Sequence, residues 1–418
     1  MELYENRIIN GLLKARAVDA PEEATQLLSR DIEIVAEPSR ATEGDLWPAI
    51  WSLAATLERQ FSGAIHIHAG LSGPLSQPAR LGARCSFGTH AGPDAIFIHL
   101  GLAAPPKRGI LCGDARGGMI AYGSTIDSLA PATPIDCFAL SGYLGFAALA
   151  HAVGIPSYRQ EFATPQLTLP FNLAGLQNLE ETELDFVGLG QLGQAFIALL
   201  FFVGRANEEI PRIYLVDKDH FEKPNWSTQI LIEPDSEWMG VPKAEYLRHR
   251  TESWGRHVHS DITEITWGWR RPSDRAGVGI LGLDKFEVRR MAIAGEYSWI
   301  FDAGLGNSFI QPRVSWHSIP ADNSLAKALF PNDNPVPTMR DVATPFLDEL
   351  RNTPGACGLL TFEQTQASAP CMGLAAAAFL WSEVSRYLAG AKDHVQGTAT
   401  LWSPILPPLR SNLNPRKC

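Results

Sequence analysis

The stretch from Leu184 to Gln194, Leu-Asp-Phe-Val-Gly-Leu-Gly-Gln-Leu-Gly-Gln, constrains this chain more than any other. An apolar strand runs directly into Gly188, Gly190 and Gly193, and the apolar run Ala195 to Val203 follows at once. Strand, glycine turn and helix start are the parts of a nucleotide-binding βαβ unit. The glycines let a phosphate approach the backbone, and the helix N-terminus attracts its negative charge. A second strand, Ile213-Tyr-Leu-Val216, ends in Asp217, where a carboxylate would hold ribose hydroxyls. On these residues alone an NAD-dependent dehydrogenase and an ATP-using enzyme are both open.

The residues after Asp217 separate the two, because a dehydrogenase needs nothing particular there. The chain continues Asp217-Lys-Asp219, then Asn225 and Gln229, then Val241-Pro-Lys243, and later Leu283-Asp284-Lys-Phe-Glu-Val-Arg289. In order and spacing this resembles the ThiF-like adenylating enzymes, the superfamily of ubiquitin-activating enzymes and sulfur-carrier activators. Their pattern is a glycine turn, Asp-x-Asp, an Asn and an Arg-Gln pair, a Lys, and Asp-Asn-x-x-x-Arg after a strand. Two departures stand out: Thr228 occupies the usual Arg position and Lys285 the usual Asn position.

The resemblance implies a Rossmann-like α/β fold with a mostly parallel sheet, and ATP with Mg²⁺ as cofactors. Adenylation joins a carboxylate to the α-phosphate and expels pyrophosphate, so donors and cations must be in place beforehand. Gly188, Gly190 and Gly193 would cradle phosphates, Asp217 and Asp219 would serve the ribose side, and Lys243 would act as a point charge. Asn225 and Gln229 would face the phosphates, and Asp284 would coordinate Mg²⁺. Thr228 removes a bidentate cation that a hydroxyl cannot replace. Near the N-terminus, Tyr4-Glu-Asn-Arg7 resembles the family segment whose Arg enters a neighbouring ATP site, so either Arg7 or an arginine from a second copy of the chain is the expected substitute, or else the site is weakened.

The acyl adenylate then needs a nucleophile. The six cysteines lie at 85, 112, 137, 357, 371 and 418 without a Cys-x-x-Cys pair, so no structural zinc of the paired type is expected. Cys357 follows a Pro-Gly segment, and Cys371 opens a helix whose dipole would lower its pKa. Cys357 is the preferred candidate for a thioester.

The first half alternates strands (Ala64–His68, Ala95–His99, Met119–Tyr122) with small-residue helices, notably 139–153. It lacks a second glycine fingerprint. His66 and His68 share a strand face, yet no third ligand has sensible spacing, which favours structural histidines. Phe138 to Ala152 resembles Ala369 to Glu383, the late small-residue helix. Residues 1–165 therefore read as a degenerate, non-nucleotide-binding copy, joined by a linker at about 161–179 to an active domain at 166–418. That domain carries an insert at about 318–368 and an extended tail from Trp402. Residues 1 to about 30 read as one helix, and 225–232 as another.

A net charge of −10 argues against non-specific nucleic-acid binding. No apolar run in the sequence reads as long enough to span a bilayer, so no membrane partner and a cytoplasmic location are expected. The function expected is ATP-dependent adenylation of the C-terminal Gly of a ubiquitin-like protein, in a bacterial setting, with onward transfer to a conjugating enzyme. The chain would act as a monomeric pseudo-heterodimer or as a homodimer. Sulfur-carrier activation, peptide adenylation in natural-product maturation, and a noncatalytic scaffold of the same fold remain the alternatives.

Overall fold

The computed structural model describes residues 6–401 and 409–412, apart from 155–174, 332–367 and short stretches at 16, 72–74, 102–109, 118, 123–125, 127–129, 176–177, 180–181, 208–211, 235, 255–256, 272–276 and 307–312. Cys357, Cys418 and most of the expected linker and insert lie outside the described residues.

In chain order the first half comprises α1 (Arg7–Lys14), α2 (Pro21–Leu27), β1 (Ile32–Ala36), α3 (Trp47–Gln60), β2 (Ile65–His68), β3 (Cys85–Phe87), β4 (Ile96–Leu100), β5 (Ile110–Arg116), β6 (Met119–Tyr122) and α4 (Pro134–Ala152). The second comprises β7 (Glu183–Val187), α5 (Gln191–Asn207), β8 (Arg212–Val216), α6 (Lys243–Glu252), β9 (Val258–Asp261), β10 (Val278–Leu281), α7 (Phe286–Ile293), β11 (Trp299–Leu305), β12 (Arg313–Pro320), α8 (Asn323–Leu329), α9 (Pro370–Leu388), β13 (Val395–Thr400) and β14 (Leu409–Asn412).

Two sheets result. The first has strand order β3-β2-β1-β4-β5-β6 and the second β14-β13-β12-β11-β10-β7-β8-β9. Within the second, β9-β8-β7-β10-β11-β12 repeats the order of the first, and the directions repeat too. Each run has five parallel strands, closed by an antiparallel pairing of β5 with β6 or of β11 with β12. In each, the chain leaves the central strand on one side and returns on the other. That reversal opens a crevice at the carboxyl ends of β1 and β4 in one sheet, and of β7 and β10 in the other.

The halves meet through α4 and α9, which share one buried core with α3 and α5. Small residues permit close approach: a Cβ on Gly142 would lie 2.9 Å from Ala375 Cβ and from the Cys371 carbonyl. A Thr133–Asp136 capping box starts α4. By length and hydropathy α4 could span a bilayer, contrary to the sequence reading, but 94% of its apolar window is buried within the protein.

Four boundaries differ from expectation. The N-terminal helix is two helices, because Pro21 cannot continue α1 and instead occupies the first turn of α2. The expected helix at 225–232 is a short 3-10 helix, Lys223–Ser227, followed by turns; Ser227 and Thr228 hydroxyls bond back to the carbonyls of Pro224 and Asn225. The expected irregular insert begins later, since β12 continues to Pro320 and α8 follows. The tail contributes β14, antiparallel to β13, because pairing satisfies backbone groups that an extended tail would leave to water.

Gly142→Leu should destabilise the protein by about 1–3 kcal/mol through overpacking between α4 and α9. Gly44→Ala, where nothing lies within 4 Å of the added Cβ, should change stability little. Denaturant unfolding of both variants checks this.

Candidate nucleotide and adenylation site

The crevice at β7 and β10 gathers most of the residues singled out from sequence. Gly188 has φ +87°, a region unfavourable to other residues, and its Cβ would fall 2.9 Å from the Gly282 backbone. A Cβ on Gly193 would lie 2.3 Å from the Gly188 carbonyl oxygen. These two glycines are required by the packing of turn, helix and neighbouring strand. Gly190 differs, because nothing lies within 4 Å of its Cβ position. Open space over the start of α5 is what a phosphate needs to reach backbone N–H groups. Gly282 was not anticipated from sequence; its N–H donates to the Val187 carbonyl (2.8 Å), locking the end of β10 to that of β7.

Asp217 ends β8 beside this turn. Its carboxylate accepts from the Leu189 N–H (2.6 Å) and the Asp219 N–H (2.8 Å). Burial raises its pKa, against the opposing pull of Lys243 and these two N–H groups. Lys243, 7% exposed, begins α6, and its Nζ lies 3.3 Å from Asp219 Oδ2. Asp217, Asp219 and Lys243 thus converge on one side of the crevice.

Asn225 and Gln229 lie near by but are already engaged. Asn225 Oδ1 accepts from the Glu222 N–H (2.9 Å), while Gln229, 1% exposed, accepts from Gln194 Nε2 (2.7 Å). The Gln229 contact therefore braces α5. Thr228 is fully buried and points its hydroxyl at the Asn225 carbonyl, so it presents no cation to the crevice.

Arg7 is the cation available instead. Asn6 caps α1 by accepting from the Ile8 and Ile9 N–H groups, and the Arg7 N–H approaches Ser227 Oγ (3.4 Å), so α1 is fixed against the Lys223–Ser227 turn. Burial lowers the guanidinium pKa, with Glu222 and Asp284 pulling the other way. Its Nε has no hydrogen-bond partner among the described residues. A half-buried cation whose Nε is unbonded among the described residues, within electrostatic reach of Asp284, suits an anion entering the crevice.

Asp284 stands exposed in the turn before α7. Among the described residues no group of three or more His, Cys, Asp or Glu side chains could hold a metal by itself. Mg²⁺ bound with a nucleotide needs only one or two carboxylates plus phosphate oxygens and water, so Asp284 fits that donor set. Lys285 sits at the N-cap of α7 and makes no side-chain cap. His66 and His68 lie on β2 in the other half; His66 contacts Thr89 and His68 stacks near His90, remote from this crevice.

Arg59, also unanticipated, reaches in from α3. Its guanidinium donates to the Gln229 and Ile232 carbonyls (3.0 and 2.6 Å) and lies over the Trp226 ring, so the first half holds the 226–232 loop of the second. Burial lowers its pKa to about 10.

Cys371 corrects an expectation. It lies in the first turn of α9, yet it is fully buried, and burial pushes its thiol up to about 12, against a hydrogen bond from Gln60 Nε2 (3.2 Å). Desolvation outweighs the helix dipole. Cys85 is likewise pushed up to about 12 and Cys137 well above the ordinary range, while Cys112 is buried.

A family model described as the BilD C-terminal domain matches residues 181–391, just over half of the chain and the span from before β7 through α9. The chain belongs to this E1-like family. A bacterial E1-like protein BilD from Collimonas sp. (strain OK412) is 28% identical over 227 residues, which are 53% of this chain and 48% of that protein. The chain thus matches about half the length of this relative. Among solved structures, E. coli MccB with succinimide is 13% identical over 64% of this chain and 71% of its own, with TM-score 0.38. E. coli MccB with selenomethionine MccA is 14% identical over 57% and 66%, with TM-score 0.39. The family membership accords with the ThiF-like resemblance drawn from Gly188 to Arg289.

Iodoacetamide at pH 8 should leave Cys371 unlabelled in the native protein and label it after denaturation. Peptide mass spectrometry reads the difference, and rapid native labelling would contradict the buried thiol.

Proposed function

We propose that this chain is an ATP-dependent activating enzyme that adenylates the C-terminal carboxylate of a ubiquitin-like protein ending in Gly. The observation that carries the reading is the convergence on one crevice of an open glycine turn, the Asp217–Asp219–Lys243 cluster, Asp284 and the orphaned Arg7 cation.

Phosphates would lie over Gly190 and the start of α5, with Asp217 holding the ribose. Lys243 and Arg7 would neutralise charge on the phosphates as pyrophosphate departs. Asp284 would hold Mg²⁺, which when bound screens phosphate charge and lowers the barrier to attack by the carboxylate. Arg7 would supply in the same chain the charge absent at Thr228. A dehydrogenase would have no use for Arg7, Lys243 and Asp284 around the phosphates.

The first half is proposed as an inactive copy of the second. Its equivalent crevice is filled by its own ions: Arg40, 7% exposed, binds Asp45 (2.9 Å) and Asp114 (2.5 Å) and donates to the Ala115 carbonyl. Peptide adenylation is kept as a second reading, because the MccB structures bear on a peptide substrate only through fold-level likeness, while the E1-like relative favours a protein modifier. A scaffold role would leave the Arg7 cation without use.

With Mg²⁺ and the cognate carrier, the protein should exchange labelled pyrophosphate into ATP, and Asp284→Ala should abolish this with the fold intact. Arg7→Ala should lower the exchange rate by about 10²–10³, the usual loss for one transition-state donor. Normal exchange by Arg7→Ala would return Arg7 to a structural role, and tight NAD binding without ATP binding would overturn the whole reading.

Of the four cysteines described, three have raised pKa values and Cys112 is buried, which leaves Cys357 and Cys418; Cys357, after its Pro-Gly segment, is the proposed acyl acceptor. A thiol-labile band on non-reducing gels should form with the carrier and be lost in Cys357→Ala, while pyrophosphate exchange persists. If fast exchange occurs without a band, the adenylate passes directly to an external nucleophile.

A further inference from the structure

Asp302 and His317 lie outside every motif read from the sequence, yet they connect to the turn that carries Asp284. Asp302 sits on β11 in register with Leu281, the last residue of β10, and His317 pairs directly opposite it on β12. The Asp302 carboxylate is fully buried. Its Oδ2 accepts from Arg289 Nη1 (2.9 Å) and lies 3.1 Å from His317 Nδ1. A carboxylate acceptor fixes the proton on Nδ1.

Arg289 is the link. Its Nε and Nη2 both donate to the Leu283 carbonyl (2.9 and 2.6 Å), one peptide before Asp284, and Nη2 also approaches the Ala303 carbonyl (3.3 Å). Phe286 and Phe330 flank the guanidinium at 5.7 and 5.5 Å from their ring centres. Among the described residues, the hydrogen bonds of its guanidinium join the Leu283–Asp284 turn to β11. Lys285, which follows the turn, supplies no side-chain cap to α7. The direction of the guanidinium depends on the direction of Asp302 Oδ2, which His317 holds from the opposite strand.

We propose that His317 and Asp302 are positioning residues: they orient Arg289 so that it fixes the Leu283–Asp284 turn in the geometry that presents Asp284 to nucleotide-bound Mg²⁺. This rests on the reading of the crevice as an adenylation site. Residues that orient a metal-binding carboxylate typically change metal affinity by about 10–100-fold when removed, whereas a packing defect changes stability without a selective metal dependence.

The test compares His317→Gln and His317→Asn. An Asn amide can donate from close to the Nδ1 position, whereas the longer Gln places its donor near Nε2 and loses the bond to Asp302. Binding of a non-hydrolysable ATP analogue is measured by calorimetry over a series of Mg²⁺ concentrations, and hydrogen exchange is followed in peptides covering 282–286 without nucleotide. His317→Gln should need about tenfold more Mg²⁺ for half-maximal binding and exchange faster at 282–286, while its Mg²⁺-free affinity stays at the wild-type value. His317→Asn should restore both. Asp302→Asn, which keeps the shape and loses the charge, should resemble His317→Gln. Wild-type Mg²⁺ dependence in a folded His317→Gln, or equal loss in the Gln and Asn variants, overturns the proposal. Failure of the wild type to bind the analogue in a Mg²⁺-dependent way overturns the adenylation reading and this inference with it. Faster turn exchange with unchanged Mg²⁺ dependence overturns the inference alone.

Discussion

The close packing of α4 on α9 is the constraint on which the rest depends. Each of the two helices is buried along most of its length, and both belong to one shared core. Small residues at 142, 145 and 375 bring the two backbones within reach of each other, and gaps there would forfeit dispersion contacts along both helices. With the helices seated, α1 and α3 reach the 223–232 segment of the second half. Arg59 then reaches the 226–232 carbonyls and Arg7 reaches the crevice. Under the proposed function, a site confined to the second half by motif would be completed by Arg7 from the first.

The two crevices show how one topology can be opened or closed. Each lies at the reversal of strand order, where a doubly wound sheet leaves space at its carboxyl edge. In the second half that space is kept by backbone: Gly188, Gly193 and Gly282 pack without Cβ atoms, and Gly190 is left uncovered. In the first half, Arg40 lies against Gly101 just beyond β4 and is neutralised by Asp45 and Asp114. An incoming phosphate there would have to displace two carboxylates already bonded to a buried guanidinium, leaving buried charge uncompensated.

The sequence made the second sheet and its crevice legible because those features require particular residues locally. A glycine turn after an apolar strand, an acid at the end of the next strand and a Leu-Asp after a third are each readable within a few positions. Arg7 was legible only through resemblance. What could not be read depends on distant pairing. Arg59 meets Gln229 across 170 positions, and His317 meets Asp302 across two antiparallel strands, with no local signal for either. The short helix at 223–227 was misjudged because side-chain bonds to nearby carbonyls compete with helical continuation. Cys371 was misjudged for a different reason: position in a helix is visible in a sequence, whereas the packing that desolvates the position is not.

Arg7 shows how such a site would be prepared for its ligand under the proposed function. A guanidinium desolvated by burial, with one donor unbonded, is held at a cost met by the packing of α1 and its Asn6 cap. Glu222 and Asp284 offset part of that cost through charge alone. An incoming triphosphate would satisfy the open donor and, with Mg²⁺ on Asp284, separate the carboxylate from the cation it now attracts. Binding would therefore relieve strain already present rather than reorganise the site, which is how fixed dipoles and charges stabilise a transition state more effectively than mobile water. The same logic explains why a hydroxyl suffices at Thr228: with Arg7 in place, a second guanidinium from that turn would bring two desolvated cations together before any phosphate arrived to separate them.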